Sequence, residues 1–357
     1  MLEDPCIHMS HVCEKTKNDE DDETEELRKW ALECNVQHST LDKLLLILRK
    51  RLLPNLPKSS KTFLNTKNNY KISKILNEKQ EPVGEFVYFG IEEGLRLCVN
   101  TNLHPNREIK LQFNVDGLPL FNSSKKQFWP ILCKVFSKID VYKPFAVAIF
   151  CGNSKPTNVN SFLTEFVADI NKIMNNDFII DNEPFSITLH SFICDTPARS
   201  FLKMTKGHGG FSACERCTVY GSRCENRTVY CSSNALFRTD ESFRNYDDVE
   251  HHIGHTPLVN IEPKINLISH FVLDSMHLCS GVTKKIIEYW ILCSGKARIS
   301  RVKRLELSRR MLSLRNAIPY EFQRKPRSTD DVKMWKATEF RFFLLYCGPI
   351  VLKNVLD

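Results

Sequence analysis

Three acids in this 357-residue chain sit in otherwise apolar surroundings: Asp116 in IKLQFNVDGLPLF, Asp195 in FSITLHSFICDTPARS and Glu339 in MWKATEFRFFLLY. The first two follow runs with β-strand alternation, so each belongs at the carboxyl end of a strand, where an open α/β sheet forms its ligand crevice. Carboxylates gathered there repel one another unless a divalent cation joins them, and Mg²⁺ or Mn²⁺ is the cation expected. Two such ions held ~3.5 to 4 Å apart cleave phosphodiesters, one activating the attacking water or 3′-hydroxyl and the other stabilising the leaving oxygen. Each acid also has an ordinary reading. NVDG is a hairpin signal and DTP a helix start, Glu339 has Lys336 and Arg341 nearby as ion-pair partners, and Glu288 in KKIIEYW competes for the third position. The combined order strand, strand, helix favours the catalytic reading.

A second constellation is Cys214-Glu-Arg-Cys217, preceded by glycines and His208. Its two-residue spacing lets both sulfurs reach one zinc at about 2.3 Å. No second Cys-x-x-Cys completes the set, so the remaining ligands are sought among Cys224, Cys231, the His251, His252 and His255 cluster, and Asp274-x-x-His277. His277 is either the next zinc ligand or a residue near a helix start, with Asp274 its cap. A redox role for the pair is disfavoured because no thioredoxin-like strand and helix flank it. Cys133, Cys151, Cys194, Cys279, Cys293 and Cys347 lie in apolar segments and read as core thiols. Arg199 and Lys203 share one helix face after Asp195 and are expected to meet a DNA phosphate or to form surface ion pairs. The chain has no G-x-x-x-x-G-K-[ST] loop, no G-x-G-x-x-G after a strand and no G-x-S-x-G elbow, so ATP-driven, dinucleotide and hydrolase-triad chemistries have no support.

The elements that must position these groups follow from the pattern. Residues 1–26 are acidic and poor in large apolar side chains, and are expected to form a disordered tail. From Leu27 two amphipathic helices resembling a helix-turn-helix unit are expected, the second capped by Ser39 or Thr40, followed by a Lys-rich stretch; residues 27–107 are expected to form either a basic, DNA-contacting region and linker or a solvated helix face with a Lys-rich linker. An α/β domain opens at 108. Three β runs, a helix over 158–173, a strand ending at Cys194 and a helix with Thr196 as cap and Pro197 first give the order β-β-β-α-β-α over 108–206, that of the ribonuclease H fold. Residues 207–263 read as a Cys/His-rich insertion, and 264–357 as a helical part that carries the third acid and stops without a capping signal, so a further C-terminal portion is expected. The composition, 42% hydrophobic with a formal charge of +8, suits a large globular core and permits a nucleic-acid partner. No run approaches the ~20 apolar residues of a membrane span, and the polar N-terminus argues against a signal peptide. Fourteen cysteines are then better explained by a reducing compartment, buried thiols and a metal site than by disulfides.

The segments NVDGLPLFNSSKKQFWPILCKV, PFAVAIFCGNSKP, FICDTPARSFLKMTKGHGGFSACERC, RTDESFRN, LDSMHLCSGVTKK and WKATEFRFFLLYCGP together resemble the transposase-derived proteins of the CACTA-like branch of DDE transposases. The likeness covers most of residues 108–350, in the family's order. It implies a ribonuclease H-like core with Asp116, Asp195 and Glu339 as the three acids, and a zinc-binding insertion matched at Cys214 and Cys217. Related recombinases complete that zinc site with two histidines shortly before the catalytic Glu; no such pair precedes Glu339 here. The implied activity is DNA cleavage and strand transfer by a nuclear protein, acting on transposon ends and target DNA and able to form homo-oligomers. The alternative is a silent or truncated relative retained for DNA or chromatin binding.

Overall fold

The computed structural model describes residues 17–66, 69–232 and 234–356, and the chain folds as two units that divide between Lys71 and Ile72. The first unit holds helices α1 (Lys17–Glu33), α2 (His38–Arg51) and the single turn α3 (Ser60–Phe63). Ala31, Leu41, Leu45, Leu56 and Phe63 form its small core. Asp42 accepts from the Ser60 amide at 2.6 Å, and Arg28 donates to the Phe63 carbonyl at 2.6 Å. The acidic run from residue 17 belongs to α1 instead of ending in a tail, because acids in a helix's first turns complement its dipole; residues 1–16 lie outside the described residues. Gln37, not Ser39 or Thr40, precedes α2, and it makes no side-chain cap. Lys43, Lys50, Lys58 and Lys61 are exposed.

The second unit begins with a hairpin, β1 (Ile72–Leu76) and β2 (Pro82–Tyr88), in the stretch expected to be linker. Its alternating ISKIL and EFVY flanking the polar NEKQE turn is an ordinary hairpin pattern that the lysines obscured. After α4 (Ile91–Cys98) come β3 (Glu108–Val115), the short β4 (Leu118–Pro119), β5 (Gln127–Phe136), β6 (Phe145–Gly152), α5 (Val159–Asn175), the short β7 (Phe178–Ile180), β8 (Glu183–Cys194) and α6 (Thr196–Lys203). A second small hairpin, β9 (Ser222–Cys224) and β10 (Arg227–Val229), and helix α7 (Asp240–Arg244) lie between α6 and strand β11 (Phe271–Leu273). Helices α8 (Gly281–Ile291), α9 (Arg301–Ser313), α10 (Ala337–Phe342) and α11 (Gly348–Val351) follow.

The main sheet runs β1-β2-β6-β5-β3-β8-β11. β3, β5 and β6 form an antiparallel meander, and β8 and β11 lie parallel to β3 and to each other in turn. The strict alternation of β3 sends Ile109, Leu111, Phe113 and Val115 into the core. There Phe166 of α5 meets Phe113 edge-on at 4.9 Å, and Phe271 stacks on Phe192 at 4.6 Å. β8 carries an irregularity in its pairing with β3 at His190, whose ring stacks on Phe136 at 4.0 Å. Strand β11 falls where only helix and insertion were expected; three residues, FVL, are too few for periodicity to reveal. The C-terminal helices surround a second core of Ile287, Ile291, Leu307, Met311, Trp335, Phe340 and Phe343. No helix among the described residues is long and apolar enough to cross a membrane.

Candidate functional site

Three parallel neighbours, β3, β8 and β11, each run directly into an aspartate: Val115 into Asp116, Cys194 into Asp195, Leu273 into Asp274. Register brings their ends together. Phe113 pairs with Phe192, and Asp116 and Asp195 each stand three residues beyond that pair. Leu273 pairs with Cys194, which sets Asp274 level with Asp195. The junction is tied by the Asn114 amide, which donates to the Ile193 carbonyl at 2.6 Å, and by the Val115 N–H against the Cys194 sulfur at 3.4 Å.

Asp116 is half-buried and, among the described residues, accepts only a local bond, from the Gly117 N–H at 2.7 Å. Burial pushes its carboxyl above the usual range; the Gly117 bond opposes this, and the Asp195 and Asp274 carboxylates add to it. Asp195 is the N-cap of α6, accepting from the Ala198 N–H at 2.7 Å, with Thr196 the first helical residue. The expected cap at Thr196 is thus displaced by one residue. Asp274 heads a π-helical turn over Met276–Ser280 and is bonded by the ring Nδ1 of His277. Although burial acts to raise it, that bond and the Met276 and His277 amides hold Asp274 below the usual carboxylate range.

Asp274, expected from the sequence as a zinc ligand or a helix cap, accepts from the Met276 amide at 2.8 Å as a cap does and also follows a strand end. The strand before it, three residues long, is too short for alternation to mark it in the sequence. Glu339 is buried and held by Arg327 through bonds of 2.7 and 2.8 Å, and its Oε2 also accepts from the Lys336 N–H at 2.8 Å. Its ion-pair partner is Arg327, not the Lys336 ammonium or Arg341 as expected from proximity in sequence. Helix α10, which carries it, packs against the Met276–Ser280 turn and against α8.

Among the described residues no group of three His, Cys, Asp or Glu side chains is arranged to hold a metal ion. At the strand ends the residues nonetheless suit a hard cation held by one or two carboxylates and completed by water, the usual coordination of Mg²⁺. The observation that fits it is the burial of the Asp116 carboxyl, which raises it, close to the Asp195 and Asp274 carboxylates, whose effect His277 opposes in part. The cysteine pair is different. The Cys214 and Cys217 sulfurs lie 3.4 Å apart and supply two of the four donors a structural zinc takes. His277 does not complete their set, because Asp274 engages it beside Asp116.

The Cys-Glu-Arg-Cys loop is instead locked to the sheet by buried charge. Arg199 donates to Glu215 at 2.8 Å, to the Cys194 carbonyl at 2.6 Å and to Thr196 Oγ1 at 2.9 Å. Arg216 bonds the Ile268 and Phe271 carbonyls, and Arg238 reaches the Cys214 carbonyl at 2.9 Å and Asp248 at 2.6 Å. Arg199 and Lys203 are therefore interior residues, 6% and 1% exposed, and the expected phosphate contact does not arise. The Lys203 ammonium lies over the rings of Phe243 and Phe271, and burial holds it down to about 8 from its ordinary 10.5. Below pH 8 the folded state carries the full cost of that charge; between about 8 and 10.5 the unfolded chain binds the extra proton and stability climbs with pH. Lys203→Met is expected to raise stability at neutral pH by up to about 3 kcal/mol and to flatten that climb, as urea midpoints at pH 7 and about pH 9.5 would register.

The chain matches no protein-family model, and no curated protein is similar enough to it to stand as a relative.

Proposed function

We propose that this chain is a transposase-type DNA nuclease and strand transferase with a ribonuclease H-like core, its site built on Asp116, Asp195 and Asp274 at the ends of three parallel strands. The observation that carries the reading is the shared register of those three aspartates, on a sheet whose meander-then-parallel order is the one that fold uses. In this reading Asp116 and Asp195 hold Mg²⁺ or Mn²⁺, which when bound would stabilise the charge that builds on a phosphodiester as it is cleaved. Asp195, fixed as a helix cap, keeps its second oxygen for that task, and Asp274 orients the exposed His277 ring next to Asp116. The exposed lysines of the first unit supply phosphate contacts, and the nucleus is the expected site of action.

The test is cleavage of a DNA duplex carrying the gene's own flanking sequence, in Mn²⁺. Nicking at the element ends is the expected result; tight binding without nicking would overturn the enzyme reading. The alternative, a silent relative kept for binding DNA or chromatin, is favoured by one observation, the Arg327–Glu339 ion pair, which engages the acid that the family resemblance makes catalytic. Two variants separate the candidates for the third acid. Asp274→Asn is expected to lower cleavage at least a hundredfold, whereas Glu339→Gln should cost stability, roughly 1 to 3 kcal/mol for weakening a buried charge-assisted bond, and little cleavage per folded molecule. The reverse pattern would return the third position to Glu339.

A further inference from the structure

The C-terminal helices carry a cationic, aromatic cleft that the carboxylate site does not use. Residues 296–327 contain eleven Lys and Arg against two acids, a local excess larger than the +8 of the whole chain. Phe322, within this segment, forms a ring cluster with Phe342 and Tyr346. Phe322 meets the other two edge-on at 5.0 and 5.2 Å, and Phe342 and Tyr346 stack at 5.6 Å. These rings, with Arg324, Arg341, Thr338, Gln323 and the one acid Glu321, line an open cavity of about 310 Å³.

The local backbone explains the arrangement. Helix α10 runs on into a π-helical turn over Phe343–Cys347. Phe343 and Cys347 point into the second core while Tyr346, four residues after Phe342, stays 52% exposed. Wide turns of this kind recur at functional sites because they turn a side chain out of the helical repeat. Both guanidiniums are exposed, and among the described residues neither Arg324 nor Arg341 has an ion-pair or hydrogen-bond partner. An exposed aromatic face flanked by free guanidiniums, in a cavity at the lower end of the size that takes small ligands, suits a flat base with a phosphate attached. A duplex hides its base faces, so the chemistry selects an unpaired strand.

We infer that the cleft formed by Phe322, Phe342, Tyr346, Arg324 and Arg341 binds an unpaired segment of DNA, the rings stacking on its bases and the two arginines meeting its phosphates. The inference goes beyond the carboxylate site: stacking needs no metal, and only the choice of DNA over RNA rests on the reading of the chain as a DNA nuclease.

The experiment is fluorescence anisotropy of the full chain, in EDTA, with a labelled mixed-sequence oligonucleotide of roughly 12 nucleotides, within the span of single-strand sites. The same sequence as duplex and as RNA is measured in parallel. The single-stranded DNA is expected to bind more tightly than the other two. Tyr346→Ala should weaken it about tenfold while leaving duplex binding unchanged, and Tyr346→Trp should restore it. The double variant Arg324→Gln, Arg341→Gln should weaken binding and reduce the salt dependence by between one and two released counterions. Unchanged affinity in Tyr346→Ala, an equal loss on duplex, or preference for the RNA would overturn the assignment. Because Tyr346 is exposed, truncation leaves the fold intact, and the Trp variant distinguishes stacking from a loss of structure.

Discussion

Asp195→Asn is expected to reduce Mn²⁺-dependent DNA cleavage by three orders of magnitude or more while leaving the melting temperature within about 1 °C of the parent. Asparagine caps a helix about as well as aspartate, so its side-chain oxygen can still accept from the Ala198 N–H and α6 should start unchanged. What disappears is the charge. A neutral amide is a far poorer ligand for a hard cation than a carboxylate, and loss of electrostatic stabilisation at a reacting phosphate costs several kcal/mol of barrier. Asp195→Ala is the less informative change, because it also deletes the cap, worth about 1 kcal/mol. Parent-like cleavage by Asp195→Asn would remove this residue from the site.

The same geometry makes a prediction that needs no substrate. The Asp116 carboxyl sits above its usual range in the folded protein, chiefly through burial, with Asp195 and Asp274 adding repulsion. For an acid raised on folding, stability falls as pH rises from the unfolded value through the folded one, and the whole penalty remains at neutral pH. Mg²⁺ or Mn²⁺ bound there should relieve it, raising the melting temperature at pH 7 and less so at pH 4. Asp116→Asn should be more stable than the parent without metal and should gain less from adding it. A parent whose melting temperature ignores both ions would argue that the three aspartates are held apart for some other purpose.

Particular residues show how much of this was legible. The alternation of IKLQFNV and FSITLHSFIC placed Asp116 and Asp195 at strand ends, and the sheet has them there, because each strand buries one face and its register is pinned by that pattern. Asp274 was legible as a helix cap but not as a strand end. A three-residue strand supplied by a long-range partner leaves no local signature, and β11 exists because β8 offers a paired edge. Arg199 and Lys203 were misplaced for a related reason. Their spacing gave the correct helix face, but that face is covered by the Cys-Glu-Arg-Cys loop, whose Glu215 no periodicity could have assigned to Arg199. Glu339 read as a buried acid, which it is; the distant partner that neutralises it, Arg327, lies in a segment without regular structure.

Glu215 carries the largest expected effect on stability. Its side chain and that of Arg199 are each only 7% exposed, and Arg199, Lys203, Arg216 and Arg238 surround this part of the interior. Glu215→Gln keeps the shape but removes the negative charge, leaving Arg199 buried without its counterion and in closer conflict with Lys203. Breaking one side of a buried pair costs about 3 to 5 kcal/mol, because the surviving charge has lost the partner that offset its desolvation. Urea unfolding of Glu215→Gln should show that loss. The double variant Glu215→Gln, Arg199→Met should recover most of it, since removing both charges removes the conflict. A single variant within about 0.5 kcal/mol of the parent would mean the pair is not buried as described. The consequence reaches the carboxylates through Arg199, which also binds the Cys194 carbonyl one residue before Asp195. Glu215→Gln should therefore lower cleavage per folded molecule even at temperatures where the protein remains folded, because Arg199, which anchors the strand end that aims Asp195, has lost the carboxylate that fixes it.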